Sequence, residues 1–449
     1  MLFTPVLESE TMRGLRNIDR GVFMSCVAAL SLSLVACGGT ERSGGQEWQA
    51  VQDTIGDTIV IRTVAGSVWG DTAELVADVT IGQFDGPDEY MFGSIRSLAA
   101  APDGSIYLFD SHVPALRKYA PDGTYLATFG REGGGPGEYK QPDGGLAVLP
   151  DGRVLLRDPG NTRISVYSPE GEYLEGWRIR GSFNTSRRLY SDRDGNSYTL
   201  ILMDPVADVM DWRMGLVQYR PDGSPGDTLP APSFDYQPSE LIAQRIEDGE
   251  NTSTSMNDVP FTPSVGWVFS PLGYMVAGLS TSYAVNLYTA PDRVVRIERA
   301  NWEPAPVQSE EKAEREAIMT ANMRQTQPDW RWNGDPIPDT KPPYRGFYVG
   351  ADGRIWMLLH QKAEKVAEAQ PASERPPHGR EVPEQTWFEP VAFDVFEPDG
   401  RYLGMVRAPE GFARYPRPYM RGDTVWAVVR GELEVPYVVR FHVQHREET

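Results

Sequence analysis

The sequence predicts an all-β fold: a six-bladed β-propeller in which an N-terminal strand closes the last blade and two helical or irregular insertions interrupt the ring. Three observations predict it. A turn signature is written twice at an offset of 48 residues, as Tyr119-Ala120-Pro121-Asp122-Gly123-Thr124-Tyr125-Leu126 and Tyr167-Ser168-Pro169-Glu170-Gly171-Glu172-Tyr173-Leu174. In both, an aromatic residue ends one strand, Pro-Asp/Glu-Gly turns the chain, and Tyr-Leu opens the next. Looser copies stand at Tyr219-Arg220-Pro221-Asp222-Gly223 and Phe396-Glu397-Pro398-Asp399-Gly400-Arg401-Tyr402-Leu403. Repeats of this length read as four-stranded blades. The last strand-rich segment lacks an outer strand, which Ala73 to Ile81 can supply, leaving no free edge at the closure.

The chain opens with an address. Arg13, Arg16 and Arg20 precede an uncharged run from Gly21 to Ala36, which ends in Leu34-Val35-Ala36-Cys37-Gly38. Basic, then apolar, then small residues mark a secretory signal, here residues 1–36. The apolar run, about 16 residues, is short of the roughly 20 a membrane span needs, so cleavage is expected. The segment around Cys37 resembles the lipobox of bacterial lipoproteins, which implies a lipid-modified Cys37 at the mature N-terminus and anchoring in the membrane. Gly38 lacks the aspartate linked to inner-membrane retention, so the resemblance points to the outer membrane, facing the periplasm. Residues 37–57 are expected to be the lipidated cysteine and its tether. Cys26 leaves with the signal, so the mature chain has no disulfide.

Residues 58–445 are assigned to the propeller and 446–449 to a tail. Thr58 to Thr63 and Ala73 to Ile81 read as strands. Blades follow at 95–129, 145–174, 189–229 and 266–299, then from Gly346 to Leu403 and from Arg421 to Val443. The first insertion, near 301–345, contains a stretch from Ser309 to about Gln325 rich in helix formers, then the aromatic segment Pro328 to Pro336. The second, near 360–387, begins helix-prone and becomes Pro-rich. Loops on a rigid scaffold are where recognition concentrates.

Charge limits the partners. The formal net charge is −20, with no Lys/Arg run able to form a basic stripe. Nucleic acid is excluded as a ligand on that ground. Scattered acidic residues form a solvated surface, and a monomer is expected.

The segment Phe129-Gly130-Arg131-Glu132-Gly133-Gly134-Gly135-Pro136-Gly137-Glu138-Tyr139, followed by Asp151-Gly152 and Asp158-Pro159-Gly160-Asn161-Thr162-Arg163-Ile164, resembles the NHL-repeat and TolB-like six-bladed propeller superfamily. It is most similar to bacterial six-bladed propeller lipoproteins. The likeness is close over residues 75 to 230 and looser over 265 to 445. It implies a fold and hardly an activity, because propellers host unrelated functions. Some relatives in this broad class are lyases or lactonases with zinc or calcium in the channel. A channel metal would need inward ligands from several blades. The candidates are His112, His360, Asp110 and Asp158; the two aspartates are equivalent by repeat, which also predicts a shared capping role. No Gly-x-Ser-x-Gly elbow is present. Trp330, Trp332 and Trp387, in or beside the insertions, are the candidate ligand contacts, suited to stacking on a sugar or anchoring a peptide. The favoured function is therefore noncatalytic recognition of a protein, peptide or glycan by an envelope-anchored propeller with no required cofactor. A metal-dependent hydrolase or lyase, using zinc or calcium, is the alternative.

Overall fold

The computed structural model describes residues 47–180, 188–203, 213–247, 251–371, 383–431 and 434–445. The expected signal segment, Cys37 and the expected tail lie outside them. The fold is all-β and propeller-like. Antiparallel four-strand meanders start at Ile95–Ala100, Leu146–Val148, Leu189–Ser191, Val265–Ser270 and Tyr344–Val349. A further run, Tyr419–Arg421, Thr424–Arg430 and Pro436–Gln444, takes its fourth strand from Ala73–Ile81, which pairs antiparallel with Pro436–Gln444.

Each meander packs against its successor, in an order that returns to the start. Phe109 and Phe129 of the first meet Leu146 and Leu156 of the second. Ile164 and Val166 meet Leu189 and Val217 of the third, and Tyr198 meets Phe269 of the fourth. Val285 and Leu287 meet Phe347 and Met357 of the fifth, whose Trp356 and Phe393 meet Val425 and Phe441 of the sixth. Trp426 and Val428 then close on Ile95 and Leu108 of the first. Such side-by-side burial of apolar sheet faces is the main stabilising term.

The repeated turn signature has a physical basis in this packing. The aromatic ending each third strand, Tyr119, Tyr167, Tyr219 or Phe396, is at most 1% exposed. Tyr167 Oη donates to the carbonyl of Gly137 at 3.1 Å, and Tyr119 Oη donates to that of Glu89, so the residue ties its meander to the preceding loop. In the turn, Asp122, Asp222 and Asp399 each accept the N–H two residues on, at 2.9, 2.9 and 3.0 Å. Where the repeat has Glu170, Ser168 Oγ accepts the Glu170 and Glu172 amides instead. Gly171 sits at φ +97°, a conformation that glycine adopts without steric cost.

Two expectations are corrected, and one element is new. Residues 49–55, counted with the tether, form a strand: Gln49–Ile55 pairs with Thr58–Ala65, and the latter runs parallel to Arg293–Arg299 on the outer edge of the fourth meander. Most of its side chains are exposed, so the sequence carries little apolar pattern there. The helix-prone start of the second insertion is the strand Glu364–Pro371, paired with Glu384–Phe388, so tertiary pairing overrides local propensity. A hairpin not anticipated at all, Glu240–Glu247 with Asn251–Asp258, links the third and fourth meanders. The helix Ser309–Arg324 does form, opened by a capping box of Gln308 and Glu311.

The N-terminal segment belts the outside of three sheets. After Thr58–Ala65 on the fourth meander, it crosses the fifth, where the Val68 and Trp69 amides donate to the carbonyls of Tyr402 and Leu403 at 3.1 and 2.8 Å. It then enters the sixth as Ala73–Ile81, whose first residues also pair parallel with Val406 and Arg407. Among the described residues no helix is long and apolar enough to cross a membrane.

Candidate functional site

In a four-strand meander the connections from second to third strand, and from fourth to the next first strand, emerge at one end; the other turns emerge at the opposite end. The hairpin 240–258, the helical segment 300–343 and the hairpin 364–388 are all connections of the first kind. They therefore share one end of the array, while the short Pro-Asp-Gly turns occupy the other.

The insertions are locked together by polar bonds. Glu314, on the helix, accepts the backbone amides of Thr386 and Trp387 at 2.8 and 3.0 Å and the Thr386 hydroxyl; burial raises its pKa, but the hydroxyl and the two amides outweigh that and lower it. Arg315 donates to Gln385 Oε1 at 2.8 Å. Trp330 Nε1 donates to the Ile242 carbonyl at 2.8 Å, joining the helical segment to the first hairpin. Beneath them lies a buried ion cluster. Lys341 Nζ, with no exposed side-chain surface, stands 2.6 Å from Glu311, equally buried, and 3.3 Å from Glu389. The Lys341 ammonium also lies 4.8 Å from the centre of the Phe261 ring, a cation–π contact. Glu389 faces His360 Nδ1 at 3.0 Å and accepts the Gln361 amide at 2.8 Å.

Burial opposes ionisation of Glu389, but the His360 bond and the charges of Arg345 and Lys341 outweigh it and hold the pKa at about 2. Burial lowers the pKa of His360, and Glu389 offsets this only in part. Both groups bind fewer protons in the fold than in the unfolded chain, so both make acid destabilising. Urea midpoints should therefore fall as pH drops below about 6.5, through His360, and again from about 4.5 toward 2, through Glu389. The second step is worth on the order of 3 kcal/mol. E389Q should flatten the profile below pH 4.5; an unchanged acid limb in that variant would refute the assignment.

Asp110 and Asp158 occupy matching positions at the ends of second strands, both buried. Asp110 accepts the amides of Gly93, Ser94 and His112 at 2.8, 3.0 and 2.8 Å. Asp158 accepts those of Lys140 and Gln141 at 3.0 and 2.9 Å. Each carboxylate thus holds the loop that enters its own meander. Arg163 donates to the carbonyls of Gly135 and Glu138, and Asn161 to that of Gly133 at 2.9 Å, so the glycine loop is itself a structural latch. His112 follows the first meander's second strand and packs on Gly93; a Cβ there would stand 2.6 Å from the His112 side chain. His360 lies in the fifth meander. The four metal candidates therefore do not converge, and no group of three or more His, Cys, Asp or Glu among the described residues has metal-binding spacing.

Of the tryptophans, Trp330 is 1% exposed and forms the core of the insertions with Leu241, Val259 and Met323. Its ring is thereby withdrawn from solvent. Trp332 and Trp387 are partly exposed. Trp332 Nε1 donates to the Asp335 carbonyl at 2.8 Å, and Lys365 lies 5.7 Å from the centre of the Trp387 ring.

A cavity of about 680 Å³ runs along the first strands of the described meanders. Among the described residues its lining includes Arg96, Arg188, Arg193, Arg417 and Arg421, with Asp192 as the one acidic residue and no histidine. These arginines come from three separate stretches of sequence, around Arg96, Arg188 and Arg193, and Arg417 and Arg421, and only knowing which strand of each repeat lies innermost would have grouped them.

No family model matches the chain, and no curated protein does. Among solved structures, the chain is similar to a member of the DUF4221 family from Bacteroides vulgatus, with 11% identity, 84% of this chain and 99% of that one covered, and a TM-score of 0.47. It is also similar to an exported protein from Bacteroides fragilis, with 11% identity, 84% and 96% coverage, and a TM-score of 0.45. A third similar structure is virginiamycin B lyase from Staphylococcus aureus, with 9% identity, 78% and 95% coverage, and a TM-score of 0.36.

Proposed function

We propose that the chain is an exported six-bladed propeller lipoprotein of the NHL-repeat/TolB-like kind, held by a lipid on Cys37 at the periplasmic face of the outer membrane. It acts as a monomer by noncatalytic recognition of a protein, peptide or glycan at its insertion-bearing end. The observation that carries this reading is the common end shared by the insertions, which buried ion pairs brace and which bear two partly exposed tryptophans. A preorganised platform with aromatic contacts binds without a large ordering cost. The internal use of Asp110, Asp158 and Glu389 also supports recognition over the metal-dependent hydrolase or lyase, which needs convergent ligands with an open position.

The test is to screen the purified protein on glycan and peptide arrays and measure affinity for what binds. Trp332→Ala and Trp387→Ala should each weaken it by about tenfold or more. Affinity unchanged in both variants would overturn the reading, and stoichiometric zinc or calcium retained by protein purified without chelator would favour the alternative.

A further inference from the structure

The central cavity has a charge opposite to that of the chain. The protein carries a formal net charge of −20, yet its described cavity lining holds five arginines and one aspartate. That aspartate is already engaged: Asp192 Oδ1 accepts the Asp194 and Asn196 amides at 3.0 and 2.9 Å, and Oδ2 accepts Asn196 Nδ2 and Tyr198 Oη at 2.9 and 2.8 Å. It is 5% exposed, so it serves the turn more than the cavity.

The arginines are not consumed by ion pairs. Arg96 Nε donates to Ser111 Oγ at 2.8 Å, Arg188 approaches Tyr190 Oη at 3.5 Å and the Trp267 ring at 6.0 Å, and Arg421 donates to the Pro102 carbonyl at 3.3 Å. None of the five forms a salt bridge among the described residues. Three of them belong together. Arg96, Arg188 and Arg417 lie at or just before the starts of Ile95–Ala100, Leu189–Ser191 and Tyr419–Arg421, which are first strands, so all three sit at the insertion-bearing end. Arg193 follows the first strand Leu189–Ser191 and Arg421 ends the first strand Tyr419–Arg421, so both sit at the turn end.

We propose that this cavity binds a small molecule bearing one or more oxyanion groups, carboxylate or phosphate, with Arg96, Arg188 and Arg417 as its principal contacts. A guanidinium presents a planar fork that fits either oxyanion. Walls of low dielectric concentrate the field of the arginines, so an anion is drawn into the cavity while the acidic exterior repels it. The volume suits a molecule of one or two rings, and Tyr348, Tyr419 and Phe269 supply flat surfaces for its body. This site is separate from the tryptophan platform, and its failure would leave that reading intact.

The experiment measures thermal shift and calorimetric affinity of the purified protein with tripolyphosphate, citrate, glucuronate and, as neutral counterpart, glucose. Wild type should be stabilised by at least one anion and not by glucose. Arg96→Gln, Arg188→Gln and Arg417→Gln should each weaken that binding about tenfold or more while the ligand-free melting temperature stays put. A response to tripolyphosphate or citrate alone identifies a free oxyanion ligand, and a response to glucuronate an acidic sugar; both uphold the site. The proposal is overturned if no anion binds, if glucose binds as well as glucuronate, or if affinity survives in every variant whose ligand-free melting is unchanged.

Discussion

Removing residues 47–81 is expected to prevent folding, not to trim an accessory. The deletion takes away Ala73–Ile81, the fourth strand of the closing sheet, together with the hairpin on the fourth meander. Ala73, Leu75 and Ile81 are at most 5% exposed, and they pack with Val439, Phe441 and Val438. Without them Pro436–Gln444 becomes an open edge with an uncovered apolar face, a template for aggregation. The expected result is an insoluble product, or one with a noncooperative urea transition. A milder version is Leu75→Ala, which should cost about 2–5 kcal/mol. A deleted protein that melts cooperatively near the wild-type midpoint would refute closure by this strand.

Lys341→Met should be the most damaging single change at the insertion end. It leaves Glu311 buried without its cation at 2.6 Å and takes one of the cations from Glu389. Breaking one side of a buried pair costs about 3–5 kcal/mol, because the remaining charge cannot be solvated. Replacing both, as Lys341→Met with Glu311→Met, should recover much of that loss, since no isolated charge remains at that pair. Urea denaturation of the two single variants and the double variant gives the coupling. If Lys341→Met alone melts like wild type, the cluster is not the brace described above.

Much of the architecture was legible because the repeat encodes contacts, not only turns. Tyr119, Tyr167, Tyr219 and Phe396 recur since each fills the same buried position. The 309–324 helix was legible from its composition. Less visible were elements whose stability comes from elsewhere. Gln49–Ile55 has too little apolar patterning to announce a strand, and Glu364–Pro371 is written in helix formers. Trp330 counts among the candidate ligand contacts in the sequence because the insertions build a small core of their own, which a sequence pass cannot separate from a loop. The cavity arginines are the clearest case: each looks ordinary alone, and only the sheet order gathers them.

The belt across the fourth, fifth and sixth meanders also dictates when the chain can finish folding. Asp78 meets Arg440, 362 residues later, so an early strand waits for almost the whole polypeptide before its partner exists. A ribosome or a translocation pore releasing the chain from its N-terminus therefore delivers the clasp first and the ring it fastens last. Premature closure is impossible by construction, whatever the rate at which the chain is released.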